Sequence, residues 1–246
     1  MSQKDNFVFR QNSIPEATGL REYVNAVAHH CPFATVAEKK GFARYTVYDD
    51  PNLTVDEIIA ITIIHTEMLR KEFAQISEDS DDGWLLNENM VFGTAQTPAL
   101  QTELLAAHWC VTVLYTDTGW VFGKFPKGLR PPNRTDIKVS SFQHDLFSIR
   151  KTIPETDKRF YTRLGQLQFE FANQDDGSII VPELLSEIDP STLSDQETVV
   201  RSVRASITNH VMQHIKERVE QKASSLNITP EDRYRPELAK SVRDVL

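Results

Sequence analysis

The run Ile58-Ile59-Ala60-Ile61-Thr62-Ile63-Ile64 limits the folds open to this chain more than any other stretch. It follows Thr54-Val55-Asp56-Glu57, a capping box in which the threonine and the glutamate satisfy each other's free backbone N–H groups. Such a box opens a helix, expected here to end near residue 76. A helix that is apolar on most sides cannot rest on a surface, so it belongs at the centre of the fold. The apolar run is too short to span a bilayer, and His65 and Glu67 follow it at once.

Around this helix the pattern alternates between elements. Leu20, Tyr23, Val24, Val27, Ala28 and Cys31 recur at helical spacing, predicting a first helix over residues 16–30. A short second helix is expected with Cys31 at its N-cap, Pro32 at its first position and Gly41 past its end. Residues 43–48 and 89–94 read as strands, with an acidic loop over 78–83 before the second. A short helix is expected over 97–107. Residues 109–115 then read as a strong strand, paired through the turn Asp117-Thr118-Gly119 with a hairpin partner over 120–125. A strand over 144–153, a helix over 157–173 and a short strand over 178–181 complete the middle. A second capping box, Ser194-Asp195-Gln196-Glu197, opens a long helix to about residue 224. Val199, Val203, Ile207, Val211, Ile215 and Val219 recur along it at four-residue spacing. A short helix over 236–245 ends the chain. The expected class is α+β, a central and mostly antiparallel sheet with helices at both ends and a long C-terminal helix. Residues 1–190 form the core domain, and 191–246 a helical extension packed on that core or on a partner, giving a candidate homodimer.

Lys and Arg number 27 against 35 Asp and Glu, a formal net charge of -8. An acidic surface repels phosphate backbones and anionic lipid, so neither nucleic acid nor membrane is expected as a partner. The first residues lack an apolar signal-peptide core. The two cysteines do not make a disulfide framework, which points to a reducing cytoplasm. With nine glycines and no G-x-G-x-x-G, Walker A, G-x-S-x-G or H-E-x-x-H pattern, phosphate-cradling loops and the common hydrolase sites are not expected.

Reactive residue types gather in three places. In His29-His30-Cys31-Pro32-Phe33, a cysteine at a helix N-terminus would have a lowered pKa and suit a thiolate ligand. If Cys31 instead ends the first helix, it is a neutral core thiol. In His108-Trp109-Cys110, read as strand, His108 and Cys110 share a face and could join Cys31 and His29 or His30 around zinc. The alternative is plain sheet core. On the C-terminal helix His210 and His214 lie one turn apart, as a solvated pair or a metal chelate.

Cys31-Pro32-Phe33, Ala37, Lys40-Gly41 and Arg44-Tyr45 together resemble the N-terminal signature of the YqcI/YcgG family, although that family writes Phe-Pro-Cys. An uncharacterised bacterial Cys-Pro-Phe domain family is similar over about residues 30–165, through Gly119 to Pro126 and Ile149-Arg150 to Asp157 and Phe160. Its His-Pro is Pro126-Lys127 here. The first resemblance implies a haem-dependent oxygenase, a monooxygenase-type oxidoreductase that N-hydroxylates a small amino-acid-like substrate in specialised biosynthesis. It implies Cys31 as the axial thiolate and Arg44 or Arg150 as partner of a propionate or substrate carboxylate. Phe33 and Trp109 would line the cofactor. His30 and His108 are the further metal ligands if the ion is zinc. The competing expectation is a non-catalytic accessory or scaffold protein, with a zinc site or no cofactor.

Overall fold

The computed structural model describes residues 10–11, 21–22, 32–79, 81–92, 98–125, 144–157, 163–172, 174–233 and 236–246. Helix α1 (Pro32–Lys39) is followed by β1 (Ala43–Tyr48), with Gly41 between them at φ 73°. Helix α2 (Val55–Asp79) leads to β2 (Asn87–Phe92), and α3 (Pro98–Leu114) to β3 (Trp120–Phe125). Then come β4 (Asp145–Lys151), the single turn α4 (Pro154–Asp157), α5 (Arg163–Glu170) and α6 (Pro182–Glu187). Helices α7 (Gln196–Ser206), α8 (Asn209–Ser225) and α9 (Pro236–Val245) close the chain.

The fold is α+β. The sheet order is β1-β2-β4-β3. β1 and β2 are parallel, joined through α2, and the other two pairings are antiparallel. The capping box forms as expected: Thr54 N–H donates to Glu57 Oε2 at 2.7 Å, and Glu57 N–H donates to Thr54 Oγ1 at 3.2 Å. Every residue from Glu57 to Thr66 is buried. Thr62 and Thr66 survive there because each hydroxyl donates to the carbonyl one turn back, at 2.7 and 2.6 Å.

Several expected elements are corrected. Residues 109–115 are not a strand but the second half of α3 and the turn after it. Buried all round, this stretch has no polar face to reveal a helical period, and a short β-branched apolar run then reads as strand. Its hairpin with 120–125 is accordingly absent, and β3 pairs with β4 instead. Residues 178–181 form no strand, and the acidic loop is partly helical because α2 runs on to Asp79. Of the expected 157–173 helix, Asp157 ends α4 and 163–170 form α5, while 158–162 and 173 lie outside the described residues. The long C-terminal helix is two. The chain extends at Ile207, and the Thr208 side chain then caps α8 by accepting from Val211 N–H. Arg21 and Glu22 are helical, and the rest of the expected first helix lies outside the described residues.

The sheet divides two apolar clusters of unequal size. The larger joins α2, α3 and the inner faces of the strands to Val199, Val203, Val211, Ile215, Val219 and Val242 of the last three helices. The Val/Ile ladder is therefore covered by its own chain. The smaller cluster, on the other face, contains Ala37, Ala43, Tyr45, Leu85, Val91 and Leu146, with Trp84 and Phe125 packed against it. Among the described residues no helix is long and apolar enough to cross a membrane.

Candidate functional site

The sheet sorts the sequence-predicted residues onto its two sides. Successive strand residues point to opposite faces. Ala43 and Tyr45 belong to the smaller cluster, so Arg44 faces α2, where its guanidinium pairs with Glu72 and donates to Gly41 O at 2.6 Å. Leu146 belongs to the smaller cluster while Phe147 and Ile149 belong to the larger, so Arg150 lies on the α1 side. It grips the Asp157 carboxylate with both guanidinium nitrogens, one at 2.9 Å. Phe33, on α1, meets Trp84 edge-on at 5.2 Å. Phe33 and Arg150 thus share one side of the sheet, and Arg44, His108 and Trp109 lie on the other. Cys31, His29 and His30 lie outside the described residues.

On α3, His108 donates from Nε2 to Phe122 O at 2.6 Å, a bond that metal ligation at that nitrogen would break. Trp109 is buried, and its indole N–H has no hydrogen-bond partner among the described residues. Burial pushes the Cys110 thiol up to about 12, so it is an inert core residue. Helical geometry also removes the shared face that a strand would have given His108 and Cys110. No group of three or more His, Cys, Asp or Glu side chains among the described residues could hold a metal.

A polar chain that sequence reasoning did not find runs between α2 and the β1–β2 pair. Tyr48 Oη lies 2.5 Å from His65 Nε2, and His65 Nδ1 lies 3.0 Å from Glu88 Oε1. Thr46 donates to the same carboxylate oxygen at 3.4 Å. Arg10 donates to Glu88 Oε2 at 2.6 Å and to Glu72 Oε2 at 3.1 Å, and Glu72 also holds Arg44. Tyr48, His65 and Glu88 are wholly buried. Burial alone would raise the Glu88 carboxyl, but Arg10 and the facing His65 overcome it and hold it at about 2. Burial drives the Tyr48 phenol well above its ordinary range. The available signal was a glutamate that shares the core face of its strand with Met90 and Phe92, and a histidine inside an apolar helix. Charges at core positions are paired or they are not tolerated.

Two further polar features lie elsewhere. Arg70 joins Glu67 and Asp175, which also receive Tyr115 Oη and Trp120 Nε1, at 2.7 and 2.8 Å. Beside them Lys151 lies over the rings of Phe73 and Trp120 and donates to Thr118 O at 2.8 Å. An open cleft of about 330 Å³ separates Asp49 and Asp50 from α7, but its arginines are committed, Arg201 to Glu197 and Arg204 to Asp50 and Glu57. No protein-family model matches the chain, and no curated protein or solved structure matches it.

Proposed function

We propose that this chain is a cytoplasmic haem-dependent enzyme of the monooxygenase type, acting on a small amino-acid-like substrate, with Cys31 as its axial thiolate. The observation that carries this reading is the start of α1 at Pro32, the residue after Cys31. Pro32 has no N–H to offer, and the first-turn amides after it have no partner within the helix. Unpaired first-turn amides and the helix dipole favour a nearby anion, which supports reading Cys31, the preceding residue in the sequence, as a thiolate. A thiolate-bound haem would supply oxygen activation.

The described residues that fit such a group are on the α1 side of the sheet. Phe33 offers an aromatic face there, and Arg150 a guanidinium that could exchange part of its contact with Asp157 for a propionate or substrate carboxylate. Arg44, His108 and Trp109, on the far side, do not fit the same site. The Val/Ile ladder that favoured a scaffold or dimer is packed within the chain.

The test is reconstitution of the purified protein with haem, followed by its absorption spectrum and by thiol alkylation across pH. A Soret band that is lost or shifted in Cys31→Ala, with haem protecting Cys31 from alkylation, is the expected result. Cys110 should stay unreactive until the protein unfolds. Absence of a band, or a band unchanged in Cys31→Ala, overturns the assignment. Protection by zinc in place of haem moves the reading to a zinc site.

A further inference from the structure

Tyr48 occupies a fully enclosed position. Its ring is fully buried, stacked on Phe92 at 5.7 Å and edge-on to His65 at 5.8 Å. Its hydroxyl lies 2.5 Å from His65 Nε2. The other ring nitrogen of His65 faces the ionised carboxylate of Glu88 at 3.0 Å. A carboxylate can only accept, so the imidazole hydrogen belongs on Nδ1 and the Nε2 lone pair receives the phenolic O–H. Around the pair, Glu88, Arg10, Glu72 and Arg44 alternate in sign and sum to zero.

This arrangement is ill suited to ordinary acid–base catalysis, because substrate cannot reach a wholly buried hydroxyl. Burial also closes simple ionisation of the phenol. Electron transfer needs no such contact. A phenol that loses an electron becomes a strong acid, so the proton must leave with the electron, and it needs a base already in hydrogen-bond contact. His65 is that base, and Glu88 lies behind it to balance the imidazolium that results.

We infer that Tyr48 is a one-electron redox centre with His65 as its proton acceptor. A one-electron oxidant, in the cell an oxidised metal centre or another protein radical, takes one electron from Tyr48. The O–H bond breaks, the proton passes to His65 Nε2, and a neutral tyrosyl radical faces an imidazolium paired with Glu88. Return of an electron sends the proton back, so no atom is consumed. The centre could store or relay an oxidising equivalent in an oxidative enzyme. It depends on no ligand of Cys31 and can stand if the haem reading falls.

The full-length protein is oxidised with a photogenerated ruthenium(III) complex and frozen for electron paramagnetic resonance. The expected result is a tyrosyl signal that is lost in Tyr48→Phe and kept in Tyr115→Phe. Tyr115 is a fitting control, since it too is buried and donates to a carboxylate, Glu67 Oε1, at 2.7 Å. Fluorotyrosine at position 48 keeps the hydrogen bond and should add fluorine splitting to the signal, whether or not Tyr48→Phe folds. Formation of the radical should slow in D₂O. No radical, a tryptophan signal alone, a signal without fluorine splitting or one that survives Tyr48→Phe overturns the inference. A rate unchanged in D₂O overturns the proton coupling to His65.

Discussion

Arg10 donates from Nε to Glu88 Oε2 at 2.6 Å, joining the N-terminal segment to the middle of the sheet across 78 positions of sequence. Gln11 supports it by exchanging two backbone hydrogen bonds with Tyr45 on the outer edge of β1, at 3.1 and 2.9 Å. The edge strand is thereby partly covered, and the buried carboxylate has a cation it would otherwise lack. Such a pair adds little over an apolar replacement, but removing one partner leaves an uncompensated buried charge.

Glu88→Gln is therefore expected to destabilise the fold by about 3–5 kcal/mol, measured by urea unfolding at pH 7. The pH dependence carries a sign. The Glu88 carboxyl is lowered from an ordinary 4.5 to about 2, so its stabilisation is present above pH 4.5 and lost as pH falls through about 2. Glu88→Gln should have a shallower acid limb between those values. An equally steep limb would show that Glu88 is not held ionised.

Gly119 has φ 70° and turns the chain from the short helix after α3 into β3. A Cβ at this position would lie 2.3 Å from the Cα of Ala172. Both the left-handed backbone and the close approach forbid a side chain. Gly119→Ala should cost about 3 kcal/mol or more, read as a fall in the urea midpoint. Gly177, also at positive φ but with open space around it, should tolerate alanine better. Equal losses at the two sites would mean that backbone strain alone decides.

Lys151 offers a test at alkaline pH. Burial lowers its ammonium from an ordinary 10.5 to about 8, against the opposing pull of Asp175. The folded protein then binds fewer protons than the unfolded chain between those values, so this residue's contribution to stability rises with pH across that window. The wild type should gain on Lys151→Met as pH goes from 8 to 10. A difference between them that is constant with pH would mean that Lys151 titrates as an ordinary surface lysine.

Local chemistry decided much of this protein. Thr54 and Glu57, then Ile58 to Ile64, determine a capped and buried α2 because both signals lie within one stretch of chain. Pro32 and Gly41 likewise bound α1, and residues 43–48 form β1 as the alternation of Tyr45 and Val47 with Thr46 and Tyr48 implies. Residues 109–115 show where local reading stops. A segment surrounded by other elements needs no polar face, and period is then lost as a guide. The break at Ile207 was hidden for a related reason, since the apolar spacing continues through it while the Thr208 side chain offers a cap. The polar chain is a matter of tertiary structure alone. Arg10, Tyr48, His65 and Glu88 come from separate segments, and each alone is an ordinary residue. Only packing α2 onto the β1–β2 pair removes them from water, and desolvation makes their separate charges and hydrogen-bonding capacities one connected polar chain.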